Sequence, residues 1–136
     1  HSEGEKLHGW IDNERVLIGA QRDRRYSRRD NGAWVAYLDG RTPTILGDWA
    51  MKNPTLNATG SLMVYERGHG DPSRRAYRGS ASSALWSYDF ENNQHSELTV
   101  FDGNDLAPAI GYKSDWIYFL SDRACEGNEG GRDLGL

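Results

Sequence analysis

The residues able to do chemistry are scattered along this chain rather than gathered. His1, His8, His69 and His95 lie far apart. No pair has the His-x-x-x-His spacing that sets two imidazoles on one face for a metal, and all four read as residues of loops or chain ends. Cys125 is the sole cysteine, which excludes an internal disulfide and a thiolate zinc site, and it reads as a loop thiol. No Gly-x-Ser-x-Gly elbow occurs. Ser80, Ser82 and Ser83 have no Asp or His nearby in sequence to complete a triad. Asp89, Asp102, Asp105 and Asp122 could pair in space as general acid and base. Their repeat-related, turn-like positions favour capping and internal hydrogen bonds instead. No catalytic residue, metal ligand or cofactor is assigned.

The arginines are the other candidates. Residues 22–29 hold five arginines in eight positions, with Tyr26 among them. A second loop, Arg67 to Gly79, repeats Arg74-Arg75, Tyr77 and Arg78-Gly79. Guanidinium groups bind carboxylates in a bidentate manner, so Arg74, Arg75, Arg78, Arg25 and Arg28 are the candidate contacts for a peptide carboxylate. As local sequence both segments read first as solvated inter-strand loops, with binding of an acidic peptide terminus or a partner surface as the other reading. A nucleic-acid role is disfavoured, because 16 Lys+Arg stand against 20 Asp+Glu, for a net charge of -4. No run approaches ~18 consecutive apolar residues, so no membrane span is read. Residues 1–6 are polar, without a hydrophobic signal core, and the compartment stays undetermined between cytoplasm and periplasm.

These loops must be held by strands, and the chain organises itself around one kind. Asp115 to Arg123 is an apolar, aromatic-rich run closed by Ser121-Asp122-Arg123. Looser copies occur at Ser61–Arg67 and Glu14–Asp23. A second unit also recurs, Ala33–Gly40 and Leu85–Asn92, each with a Trp and then a Tyr, ended by turn residues at Asp39-Gly40 and Glu91-Asn92-Asn93. Short strands are expected after each, at Thr44–Leu46 and Glu97–Val100, then a crossover with Pro54 or Pro108 opening the innermost strand of the next unit. Asn57-Ala58-Thr59 matches a glycosylation sequon but reads as a turn closed by Gly60.

Trp34 and Trp86 are 52 residues apart and Pro54 and Pro108 are 54 apart. An all-β pattern repeating at roughly 40–55 residues predicts β-propeller blades of four antiparallel strands. Units of roughly 10–50, 51–105 and 106–136 give about two and a half blades, whereas closed propellers have ~4–8. The expectation is therefore a partial β-propeller completed by further blades of a longer chain or by other protomers of the same protein. Trp34, Tyr37, Trp86, Tyr88, Trp116 and Tyr118 are expected in inter-blade cores.

The segment Ser73-Arg74-Arg75-Ala76-Tyr77-Arg78-Gly79, followed by Leu85-Trp86-Ser87-Tyr88-Asp89-Phe90 and Glu97-Leu98-Thr99, resembles a blade of the tricorn protease family. So does its continuation through Gly103-Asn104-Asp105-Leu106-Ala107-Pro108 and Trp116–Arg123. The shorter pieces are shared with TolB-like propellers. The chain departs where the family continues Gly-Asn-Leu-Tyr, reading Gly127-Asn128-Glu129-Gly130. The resemblance implies a six-bladed, non-catalytic propeller that gates or filters peptide substrates for a serine protease domain further along the parent chain. A TolB-like scaffold for protein–protein interaction, with no protease attached, is the alternative.

Overall fold

The structure, a computed structural model, describes residues 5–20, 32–47, 49–68, 79, 81–111, 116–123 and 134–135. Strands β1 (Lys6–Trp10), β2 (Arg15–Ala20), β3 (Gly32–Tyr37) and β4 (Thr44–Ile45) form one sheet in sequence order. Strands β5 (Lys52–Leu56), β6 (Leu62–Arg67), β7 (Ala84–Asp89) and β8 (Gln94–Glu97) form the second in the same order. Strands β9 (Asp105–Ile110), β10 (Ile117–Ser121) and β11 (Leu134–Gly135) make a third, three-stranded sheet. Every pairing is antiparallel. Two four-stranded meanders and a third sheet that starts like them are the blades expected from the repeat, and the fold is all-β.

The three organising runs are β2, β6 and β10, each lying second in its sheet between two partners. That central place explains their continuous apolar character. Register ties the repeats together: Trp34 pairs with Ile18, and Trp86 with Tyr65. Alternation then splits each strand between two faces. Leu17, Ala33 and Val35 of the first sheet pack against Met63, Tyr65 and Tyr88 of the second, with Ile11 and Met51 closing the cluster. Leu17, Met63 and Tyr65 are fully buried, and each large apolar side chain so removed from water contributes roughly 1.5–3 kcal/mol. The opposite face of the second sheet packs on β9.

Asp residues make the turns. Asp12 Oδ1 accepts from the backbone N–H of Glu14 (2.9 Å) and Arg15 (2.8 Å), folding β1 into β2. Asp89 Oδ1 accepts from Glu91 (2.8 Å) and Asn92 (3.1 Å), folding β7 into β8. Asp39 serves between β3 and β4, accepting from the Arg41 backbone at 3.1 Å. The turn read at Asn57 is present too. Its Oδ1 accepts from Leu62 N (3.1 Å) and its Nδ2 donates to Ser61 Oγ (3.0 Å). Gly60 there has φ +71, and a Cβ on it would stand 1.7 Å from the Ile11 carbonyl oxygen of the first sheet. Only glycine fits that close approach in that conformation.

Three expectations are corrected. Pro54 and Pro108 do not open their strands: they are the third residue of β5 and the fourth of β9. Both follow a residue in the left-handed region, Asn53 (φ 45) and Ala107 (φ 50), and each proline sits where the ladder skips register. A bulge on a sheet-edge strand is where a missing N–H donor costs nothing. β1 carries its own register shift, between Leu7 and Gly9. The fourth strand of the second sheet is Gln94–Glu97 rather than Glu97–Val100, because β7 pairs immediately after the Asp89 turn. Val100 is left 90% exposed. Of the six aromatic residues expected in inter-blade cores, Trp34 and Tyr88 are buried and Trp86 and Tyr37 pack against the core. Trp116 and Tyr118 are exposed.

Candidate functional site

The polar residues capable of chemistry collect at the junctions between sheets. At the first junction, His95 lies on β8 opposite Tyr88. Its Nδ1 is 2.9 Å from the Tyr65 hydroxyl and its Nε2 is 2.8 Å from the backbone carbonyl of Leu46, beyond the end of β4. Trp49 Nε1 donates to the same Tyr65 hydroxyl at 3.2 Å. The imidazole ring meets Tyr88 at 4.5 Å and Trp49 at 4.7 Å between centroids. The Arg67 guanidinium lies between two indoles, 4.3 Å from Trp49 and 4.4 Å from Trp86. Burial pushes Tyr65 up to about 12, against a smaller opposite pull from the Trp49 hydrogen bond and Arg67. Burial likewise holds His95 below its ordinary value; the Leu46 carbonyl opposes this and Arg67 adds to it. His95 and His8 therefore sit in strands, β8 and β1, and not in loops. His1 and His69 lie outside the described residues.

At the second junction one buried carboxylate serves two sheets. Glu66 is 3% exposed. Its Oε1 accepts from Asn53 Nδ2 at 2.6 Å and from the backbone N–H of Ala107. Asn53 and Ala107 are the strained bulge residues of β5 and β9, so a single side chain pins both bulges. The junction extends through Ser83, whose carbonyl accepts from Asp105 N at 2.8 Å and whose N–H donates to Asn104 Oδ1 at 3.2 Å. Asp122 accepts from Asn104 at both carboxylate oxygens. Asp105, wholly buried, takes Ser121 Oγ at 2.7 Å and Arg123 at 2.6 Å. Arg123 also covers the rings of Phe101 and Phe119.

The acidic residues weighed as general acid and base are thereby placed. Asp89 is a turn cap, Asp102 is exposed, and Asp105 and Asp122 answer to different partners in the inter-sheet network. Ser83 is buried in that network, and Ser82 Oγ donates to the Gly79 carbonyl. Among the described residues no group of three His, Cys, Asp or Glu is arranged to hold a metal. Among the described residues no helix is long and apolar enough to cross a membrane. Arg25, Arg28, Arg74, Arg75 and Arg78 lie outside the described residues, as does Cys125. Their flanking strands are described. One arginine segment runs from β2 to β3 and the other from β6 to β7, so both leave from the same end of successive sheets.

Sequence reasoning missed Glu66, Arg67 and His95. A weak signal existed for the first: Glu66 is a lone acid beside Met63-Val64-Tyr65, at the end of a core strand. Its partners are 13 and 41 residues away, beyond any local pattern.

No family model matches the chain, and no curated protein sequence does. Solved structures do. A TolB-like protein from Agrobacterium tumefaciens aligns over 81% of this chain with a TM-score of 0.58 and 16% identity. The tricorn protease aligns over 85% with a TM-score of 0.61 and 17% identity. Together with the stacked antiparallel sheets, these likenesses show a partial β-propeller. The chain spans 35% of the TolB-like protein and 10% of the tricorn protease. Both structural likenesses agree with the resemblance carried by the Trp86–Phe90 and Trp116–Arg123 motifs.

Proposed function

We propose that this chain is a non-catalytic propeller segment that gates or filters peptides for a tricorn-like serine protease. The observation that carries this is the use of its polar side chains. Glu66, His95, Asn104, Asp105 and Asp122 are engaged in joining sheets, and Asp12, Asp39 and Asp89 in making turns. What such a scaffold offers a partner is its loops. The two arginine-rich segments connect β2 to β3 and β6 to β7, the equivalent strand pairs of neighbouring sheets, and their Arg25, Arg28, Arg74, Arg75 and Arg78 are the groups that would receive a carboxylate. Further blades, or other protomers, complete the ring: Leu7 and Trp10 on the outer face of the first sheet are 61% and 58% exposed, whereas Tyr65, at the place in the second sheet equivalent to Ile18, is buried under the first.

Calorimetric titration with short peptides carrying either a free or an amidated C-terminus tests the reading. Free-acid peptides bind in preference, and replacing Arg74, Arg75 and Arg78 together by Ala removes the preference. Equal binding of both peptide forms overturns the carboxylate role. The second reading, a TolB-like interaction scaffold with no protease attached, is favoured by the larger share of the TolB-like protein that the chain spans. It predicts that folded protein partners bind while short peptides of either form do not.

A further inference from the structure

His95 bonds the second sheet to the Leu46 carbonyl beyond β4, and its hydrogen bonds specify its protonation state. The Leu46 carbonyl can only accept, so the Nε2 atom 2.8 Å away carries the proton. In a neutral ring Nδ1 is then bare and accepts the Tyr65 O–H at 2.9 Å. The Tyr65 oxygen in turn accepts the Trp49 N–H at 3.2 Å. Every donor has an acceptor in this arrangement. Protonating Nδ1 turns it into a second donor aimed at the Tyr65 oxygen. The hydroxyl must then rotate its proton away from the ring, and the Tyr65 O–H to Nδ1 hydrogen bond is lost.

The surroundings oppose the charge as well. From β6 the ring faces Tyr65 and Arg67, from β7 Tyr88, and from the connection between β4 and β5 the Leu46 carbonyl and Trp49. On its own strand Glu97 shares the face, but it is exposed and makes no ion pair with the imidazole. A charged ring would sit beside one cation, enclosed by three aromatic rings, with no paired carboxylate.

We propose that His95 is a pH-operated latch between the first and second sheets: the neutral ring holds the Leu46 segment, and protonation below neutral pH expels the ring and frees that segment. The folded-state value of His95 is lowered by burial. The latch therefore contributes fully above the ordinary histidine value of 6.5 and is lost as pH falls from there through the lower folded value. The folding equilibrium should move toward the unfolded chain by roughly tenfold for each pH unit separating the two.

Long-range ¹⁵N–¹H correlation spectra of the 136-residue chain test this. The expected result is an Nε2–H tautomer, a titration midpoint below 6.5, and loss of ring contacts to Leu46 as the ring charges. Denaturant titrations from pH 7.5 to 5 should show the loss of stability in the wild type and its reduction in His95→Gln. His8 is also held low, by burial and by Lys6, so His8→Gln serves as the control and must keep the His95 share. If His95→Gln does not fold, the tautomer and midpoint of the wild type decide alone. An Nδ1–H tautomer, a midpoint at or above 6.5, or an unchanged pH slope in His95→Gln overturns the latch.

Discussion

Removing the Glu66 carboxylate should uncouple the second and third sheets. In Glu66→Ala the Ala107 backbone N–H and the Asn53 amide lose their shared acceptor. Each donor left unsatisfied in a buried place costs about 1–3 kcal/mol. Both donors belong to left-handed bulge residues whose conformation the surrounding contacts sustain, so a total loss of about 2–6 kcal/mol is expected from the two donors together. Glu66→Gln retains an acceptor oxygen in the same place and gives up only the charge assistance, about 1 kcal/mol. Urea unfolding followed by tryptophan fluorescence and near-UV circular dichroism measures both. A cycle with Asn53→Ala should show a coupling of roughly 0.5–3 kcal/mol to Glu66, as residues in direct contact do. A Glu66→Ala cost below about 0.5 kcal/mol, the scale of ordinary surface changes, or equal costs for Ala and Gln, would refute this account of the junction.

Other expectations follow from the same contacts. Gly60→Ala places a Cβ against the Ile11 carbonyl in a left-handed residue, so it should lower stability by more than the roughly 1–3 kcal/mol of backbone strain alone, measured by the urea midpoint. Tyr65, with its value pushed up to about 12 by burial, should ionise after the exposed tyrosines in an absorbance titration near 295 nm. Because its folded value is raised, its contribution is intact below the unfolded value near 10 and is lost as pH rises beyond it; Tyr65→Phe should shrink that alkaline loss. Asp12, Asp39 and Asp89 are held below the ordinary carboxylate value of 3.8, chiefly by a hydrogen bond from the Glu14 backbone, the Arg41 side chain and the Asn92 side chain respectively. Their contribution is present above 3.8 and lost as pH falls through their folded values. Thermal unfolding from pH 5 to 2 should show that loss.

The blade rhythm was legible because it is carried by short-range features. Apolar runs such as Leu62–Tyr65, the Trp34 and Trp86 strands, and Asp turns at 39 and 89 each act within a few residues. The prolines misled because proline at a strand's start and proline at an edge bulge leave the same local sequence; only the register of β5 on β6 and β9 on β10 separates them. The polar junctions were illegible for a different reason. Glu66 reaches Ala107 and His95 reaches Leu46 across 41 and 49 residues, and stacking of sheets brings those partners together. In the sequence Ser121-Asp122-Arg123 is only the polar close of an apolar run, while its work of holding Asn104 and Asp105 appears only in the folded chain.

The measurement closest to the central claim combines binding and turnover in one sample. A mixed peptide library is incubated with the purified 136-residue chain, bound peptides are separated by size exclusion, and every peptide mass is read. The account predicts a retained subset with free C-terminal carboxylates, all at their intact masses. Cleavage products that accumulate in proportion to the chain, and that vanish when it is omitted, would contradict a non-catalytic propeller segment.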